Sequence, residues 1–173
     1  FEEKFYQQVE GLAMGGSVSA VLANLVMENF EISLNNESQY TIYIYRRYVD
    51  DLFLVVHHND TQNLFAFFNS WCPFIQFTLE LECENRLNFL DMTVVREDNK
   101  LFCKWYQKPT ASGRYLNYLS VQPAIYKRNV VLNLARRVIK LSDLRYRGEA
   151  VELGKRLLLQ NCYPRALIDG IFD

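Results

Sequence analysis

Between residues 18 and 34, apolar side chains return every three or four positions, at Val18, Val21, Leu22, Leu25, Val26 and Phe30. That spacing predicts an amphipathic helix. Ser17 or Ser19 is placed to cap its start and Asn35-Asn36 to end it. Upstream, Gly11, Gly15 and Gly16 mark a loop. The period then changes to two. Residues 40–48 are β-branched and aromatic, residues 52–56 are apolar throughout, and Val49-Asp50-Asp51 lies between them. This predicts a tight antiparallel hairpin with two acids at its tip. Asp60 predicts the start of a short helix over 61–71, with Leu64, Phe65, Phe68 and Trp71 on one side, and Pro73 closes it. Residues 75–82 alternate apolar with polar and predict a half-buried strand. A second strand is expected over 87–96, then a turn at Asp98-Asn99 and a third strand over 101–107. From Pro123 the pattern is helical, over 127–141, 149–160 and a stub after Pro164.

The fold class expected is α+β, with a mostly antiparallel sheet followed by helices. Pro109, Gly113 and Pro123 predict a linker over 109–123, between a first part, 1–108, and a helical part, 124–173.

Charge sharpens that division. Residues 1–103 hold 6 Lys and Arg against 15 Asp and Glu, whereas residues 104–173 hold 13 against 5. A basic C-terminal third suits a polyanion; it equally suits docking on the acidic first part. Composition excludes other classes: half of the 173 residues are apolar, too many for wholesale disorder, and no apolar run has the ~18 residues of a membrane span. The four cysteines, Cys72, Cys83, Cys103 and Cys162, form no CxxC pair and read as reduced thiols of an intracellular protein.

Two patterns carry candidate chemistry. Asp50 and Asp51 sit together between apolar strands, and like charges that close repel unless a cation intervenes. Mg²⁺ favours one or two carboxylates plus phosphate oxygens, and two such ions activate a hydroxyl and stabilise a leaving pyrophosphate. Asp is also a common turn residue, and on the dipeptide alone an ordinary polar turn is the reading to favour. The glycine segment 11–17 leads into a helix N-terminus, which suits a phosphate, but no Lys-Ser/Thr follows it as in a P-loop.

Order and spacing then add a resemblance. Gln8-x-x-Gly11-x-x-Met14-Gly15, Ser19-x-x-Leu22-Ala23-Asn24-Leu25-x-Met27 and Arg47-Tyr48-Val49-Asp50-Asp51 resemble a reverse transcriptase palm. Phe89-Leu90-Asp91-Met92-Thr93-Val94, and Tyr106-Gln107-Lys108-Pro109-Thr110 followed by Arg114-Tyr115-Leu116, resemble the Penelope-like retroelements, a group related to telomerase. The sequence departs from that family at Gly16-Ser17 and Ala20, where prolines are usual, and at Gln107 and Gly113.

The resemblance implies a partial right-hand palm and a helical thumb. Asp50 and Asp51 become the catalytic ligands of Mg²⁺ (or Mn²⁺). Gln8, Gly11, Met14, Gly15, Tyr48 and Lys108 become contacts to nucleotide, template or primer. The thumb cations Lys127, Arg128, Arg136, Arg137, Lys140, Arg145, Arg147, Lys155 and Arg156 would meet the nucleic-acid backbone. The implied activity is RNA-directed DNA polymerisation from deoxynucleotide triphosphates, on an RNA template with a DNA primer. The upstream strand with a third carboxylate and the fingers are missing from this stretch. The chain by itself is therefore expected to be inactive, and to need an N-terminal partner segment or a second copy. No membrane is involved, and the location implied is nuclear or intracellular. The rival reading is a non-catalytic nucleic-acid-binding or protein-interaction module derived from such an element.

Overall fold

The computed structural model describes residues 5–7, 9, 11–13 and 15–172. Gln8 and Met14 lie outside the described residues. The architecture is α+β with small antiparallel sheets, and the chain divides into two compact units between Leu79 and Glu80.

In the first unit, helix α1 (Ser19–Glu37) precedes a hairpin of β1 (Ile42–Tyr48) and β2 (Asp51–Val56), a single 3-10 turn at His58–Asp60, and α2 (Thr61–Ser70). The hairpin forms where the change of period places it, closing with Tyr48 opposite Asp51. Neither expected N-cap operates through its side chain: Ser19 Oγ donates instead to the Ala13 carbonyl (2.8 Å), and Asp60 makes no capping bond to α2. Met27, Phe30 and Leu34 of α1 meet Leu64 and Phe68 of α2 in the core, against Ile42, Tyr45, Leu52 and Leu54 of the hairpin. Phe30 is fully buried, with the rings of Phe68, Trp71 and Phe77 centred 4.9, 5.3 and 5.0 Å away. Burying such a ring contributes about 1.5–3 kcal/mol.

Residues 75–82 form no strand. Their alternation is visible in burial, since Ile75 and Phe77 are half-buried between exposed neighbours, and Phe77 joins the aromatic cluster. Periodicity reports which side of an extended segment is covered. It does not supply a ladder partner, and none pairs with this segment.

In the second unit, β3 (Arg86–Phe89), β4 (Met92–Glu97) and β5 (Lys100–Trp105) make an antiparallel sheet in the order β3-β4-β5. The strand expected over 87–96 is therefore two strands, folded at Leu90-Asp91 with Leu90 at φ 54°. A leucine is no turn signal, and the left-handed region is costly for it, so the turn is not written in residue type. The next turn does follow its sequence: Asp98 and Asn99 both have positive φ, as a two-residue hairpin loop requires.

Helices α3 (Ala124–Lys140), α4 (Leu144–Gln160) and α5 (Arg165–Phe172) complete the unit. Val131, Leu134 and Val138 of α3, Ala150, Leu157 and Leu158 of α4 and Ile168 of α5 share one core with Trp105 of β5. Sheet and helices are thus one body. Residues 109–123, expected as a linker, pack onto this body: Tyr115 and Tyr118 lie against its core, and the Tyr163 hydroxyl donates to the Leu116 carbonyl (2.8 Å).

Helix α4 starts five residues before the expected 149. Gly148 obscured its first turns, although it sits within the helix with open space beside it. Gly148→Ala is expected to stabilise the chain by about 0.5–1 kcal/mol, because it removes backbone freedom from the unfolded state without a clash. A urea titration checks this through its midpoint. Gly154 differs: a Cβ there would come within 3.2 Å of Val138, so the glycine sets how closely α4 approaches α3.

Candidate nucleic-acid interface

The first unit carries the acids singled out from sequence. Asp50 occupies the hairpin turn and Asp51 the first position of β2, both exposed, with Val49 beside them at φ 58°. Below the turn, Arg47 is fixed to α1: its Nε donates to Glu31 (2.6 Å) and one terminal nitrogen donates to Asn24 (2.8 Å). That bond from Arg47 holds the Glu31 carboxyl below its ordinary range, while burial, aided by Glu31, pushes the Tyr45 phenol up. Among the described residues, no three or more His, Cys, Asp or Glu gather where an ion would be held. Asp50 and Asp51 are adjacent and exposed, and no third ligand of that kind joins them among the described residues. Tyr48, Gly11 and Gly15 are exposed in the same unit; Lys108 is exposed in the second unit.

The second unit carries the cations. Helix α3 reads AIYKRNVVLNLARRVIK, five Lys or Arg and no acid. Its apolar positions, Val131, Leu134, Ala135 and Val138, face the core, so Arg128, Arg136 and Lys140 project into solvent with Asn129 and Asn133 on the same side. None of these three cations forms an ion pair among the described residues.

The other expected backbone contacts divide. Arg137 pairs with Asp91, Arg145 with Glu97, and Lys155 with Asp169. Glu97 also accepts from the Tyr146 hydroxyl (2.6 Å), which, with Arg145, holds its carboxyl below the usual range. Lys127 donates to the Ser120 carbonyl (2.7 Å) and Arg147 reaches the Ser142 carbonyl. Arg156 is exposed on α4 among Glu149 and Glu152. Part of the basic set is therefore neutralised by acids of its own unit.

Two short turns shape the helices. Between α3 and α4, Leu141-Ser142-Asp143 is stitched to the sheet: Trp105 N–H donates to Ser142 Oγ (3.0 Å), Cys103 N–H to the Asp143 carboxylate, and Asp143 N–H to the Cys103 carbonyl (2.8 Å). Between α4 and α5, Asn161-Cys162-Tyr163-Pro164 turns with Cys162 at φ 65°. Turns of three and four residues between helices are the connection lengths of a helix-turn-helix.

Residues 114–173 match the animal helix-turn-helix domain family. The match covers about a third of the chain, α3 to α5 and the segment leading into them. No curated protein and no solved structure matches.

The helix-turn-helix match overturns the assignment to Penelope-like reverse transcriptases, because the matching family is DNA-binding in kind and is not a reverse transcriptase family. The motifs behind that assignment are short, and the structure gives several of them local reasons: Arg47 anchors β1 to α1, and Val49-Asp50 and Leu90-Asp91 are tight turns. The helix-turn-helix suggests nucleic-acid binding, in agreement with the non-catalytic alternative. No helix among the described residues is long and apolar enough to cross a membrane.

Sequence reasoning missed the residues that fix this segment: Ser142, Asp143 and Asn161. Ser142-Asp143 before an apolar-periodic stretch is a helix-start signal and would have located α4. Nothing in the sequence marks Asp143 as a clamp on β5.

Proposed function

We propose that the second unit is a nucleic-acid-binding module that holds a duplex by its phosphates, without reading sequence, through the outer face of α3. One observation carries this reading: α3 has no acid, and Arg128, Arg136 and Lys140 face solvent without an ion pair. They span twelve residue steps, about 18 Å of helix, which matches roughly five steps of a duplex at 3.4 Å per phosphate and strand.

Helix α5 supports base reading poorly. Its exposed residues are Arg165, Ala166 and Gly170, and its Asp169 is engaged with Lys155. Tyr126 is the one exposed aromatic among the described residues of this unit, so a stacking platform for single strands is not formed. A nuclear or intracellular location follows from this reading.

Fluorescence anisotropy with a labelled duplex of about 20 base pairs tests it. Three phosphate contacts predict that log K falls against log salt with a slope near −2.7. A DNA duplex and an RNA–DNA hybrid should behave alike, and changing the base sequence should leave the affinity within about twofold. No binding at about 50 mM salt, or an affinity indifferent to salt, would exclude the reading.

A further inference from the structure

Helix α1 is apolar on two opposite sides. Met27, Phe30 and Leu34 lie in the core of the first unit. Leu25 and Met27 are two residues apart, about 200° around the helix, so a second stripe points away: Val18, Leu22, Leu25 and Ile32, flanked by Val21 and Val26. These side chains are exposed, by 59% at Val18, 52% at Leu25 and 58% at Ile32. An apolar stripe on a helix normally lies against a partner surface.

We propose that this stripe seats the same helix of a second copy, antiparallel, about a two-fold axis at Leu25. Three observations select that occupant and orientation. Val18 lies seven residues before Leu25 and Ile32 seven after, so these three positions map onto one another about Leu25, while Leu22 and Val21 map onto Glu28 and Asn29. The two-fold axis therefore sets Leu25 against its counterpart and Val18 against Ile32 of the second copy, as a self-complementary contact requires. The charges favour this orientation because it keeps the acids of the two copies apart. Residues 19–27 are uncharged, Glu28, Glu31 and Glu37 all fall in the second half, and the helix has no Lys or Arg. Antiparallel pairing sets each acidic half beside the other copy's uncharged half, where the helix dipole is positive; parallel pairing would set Glu28 against Glu28. The exposed apolar part of the stripe is on the order of 500 Å² per copy, so its complete burial would reach about 1,000 Å² in all, the lower limit for a specific interface.

Light scattering of the 173-residue chain over a hundredfold concentration range tests the proposal. The mass is expected to rise from one chain toward two, and Leu25→Glu to hold it at one. Leu25 is half exposed, so that variant should keep its circular dichroism spectrum and melting curve. Leu25→Cys, mildly oxidised, should form a disulfide-linked dimer beyond anything the four native cysteines give, because the two-fold axis brings the two sulfurs together. This arm decides the matter if Leu25→Glu disturbs the fold. A single-chain mass throughout, a dimer that persists in Leu25→Glu, or no added cross-linking in Leu25→Cys would overturn the proposal.

Discussion

Asn161→Ala is expected to destabilise the second unit by about 2–4 kcal/mol, as the sum of two orphaned backbone groups. The side chain is buried and fully used. Its Oδ1 accepts from the Tyr115 N–H (3.0 Å), and its Nδ2 donates to the carbonyls of Gly113 and Leu157 (both 2.8 Å). Through its own carbonyl it also accepts from the Tyr118 N–H (3.0 Å). Alanine keeps that last bond and loses the other three. The Tyr115 N–H and Gly113 carbonyl are then left in a half-buried place without a partner. Asn161→Asp keeps the shape and the bond from Tyr115, but turns an oxygen toward two carbonyl oxygens. Its loss should match or exceed that of alanine at neutral pH and shrink as the pH falls and the acid takes up a proton, since the protonated form can donate to a carbonyl. Urea unfolding of both variants reads the effect; a loss below about 0.5 kcal/mol would mean that Tyr163 and the aromatic packing hold the segment 113–118 unaided.

Reversing Arg128, Arg136 and Lys140 together to glutamate is expected to weaken duplex binding at least about a hundredfold at low salt and to remove most of the salt dependence. The reason is the absence of any acid on α3: once these three charges change sign, no other exposed cation of that helix is unpaired on this face. Arg96→Gln is the comparison. That arginine is exposed too, but its charge is held by Glu82, so its loss should change the salt slope by less than one. The three sites are exposed, and the melting curve of the reversed variant should move little. Retained affinity in the triple variant would place the phosphates elsewhere in the unit.

Elements with an uninterrupted period were legible in the sequence. The hairpin over 42–56 and helices α1 and α2 follow from spacing, and Pro123 marks where the helical part begins, although the spacing predicts α3 only from 127 and it starts at Ala124. What failed depended on contacts distant in sequence. Residues 75–82 alternate like a strand yet meet no strand. Pro109 and Gly113 suggest a linker, but Asn161 and Tyr163, more than forty residues on, bind that stretch to the core. The Leu90 turn is imposed by the pairing of β3 with β4, against the preference of leucine itself. For the candidate site, the excess of cations was plain from counting. Which of them remain available was not, because Asp91 and Glu97 lie far from their arginines in sequence and neutralise them only once the sheet has packed against the helices.

The clamp of Ser142 and Asp143 on β5 has a consequence for the order of events in folding. The edge of β5 is a row of open hydrogen-bonding groups until a turn some forty residues downstream arrives to cover it. During synthesis that edge of the sheet therefore stays open until Ser142 and Asp143 have been made and have folded back onto it. Until then a nascent chain can mate with any passing strand.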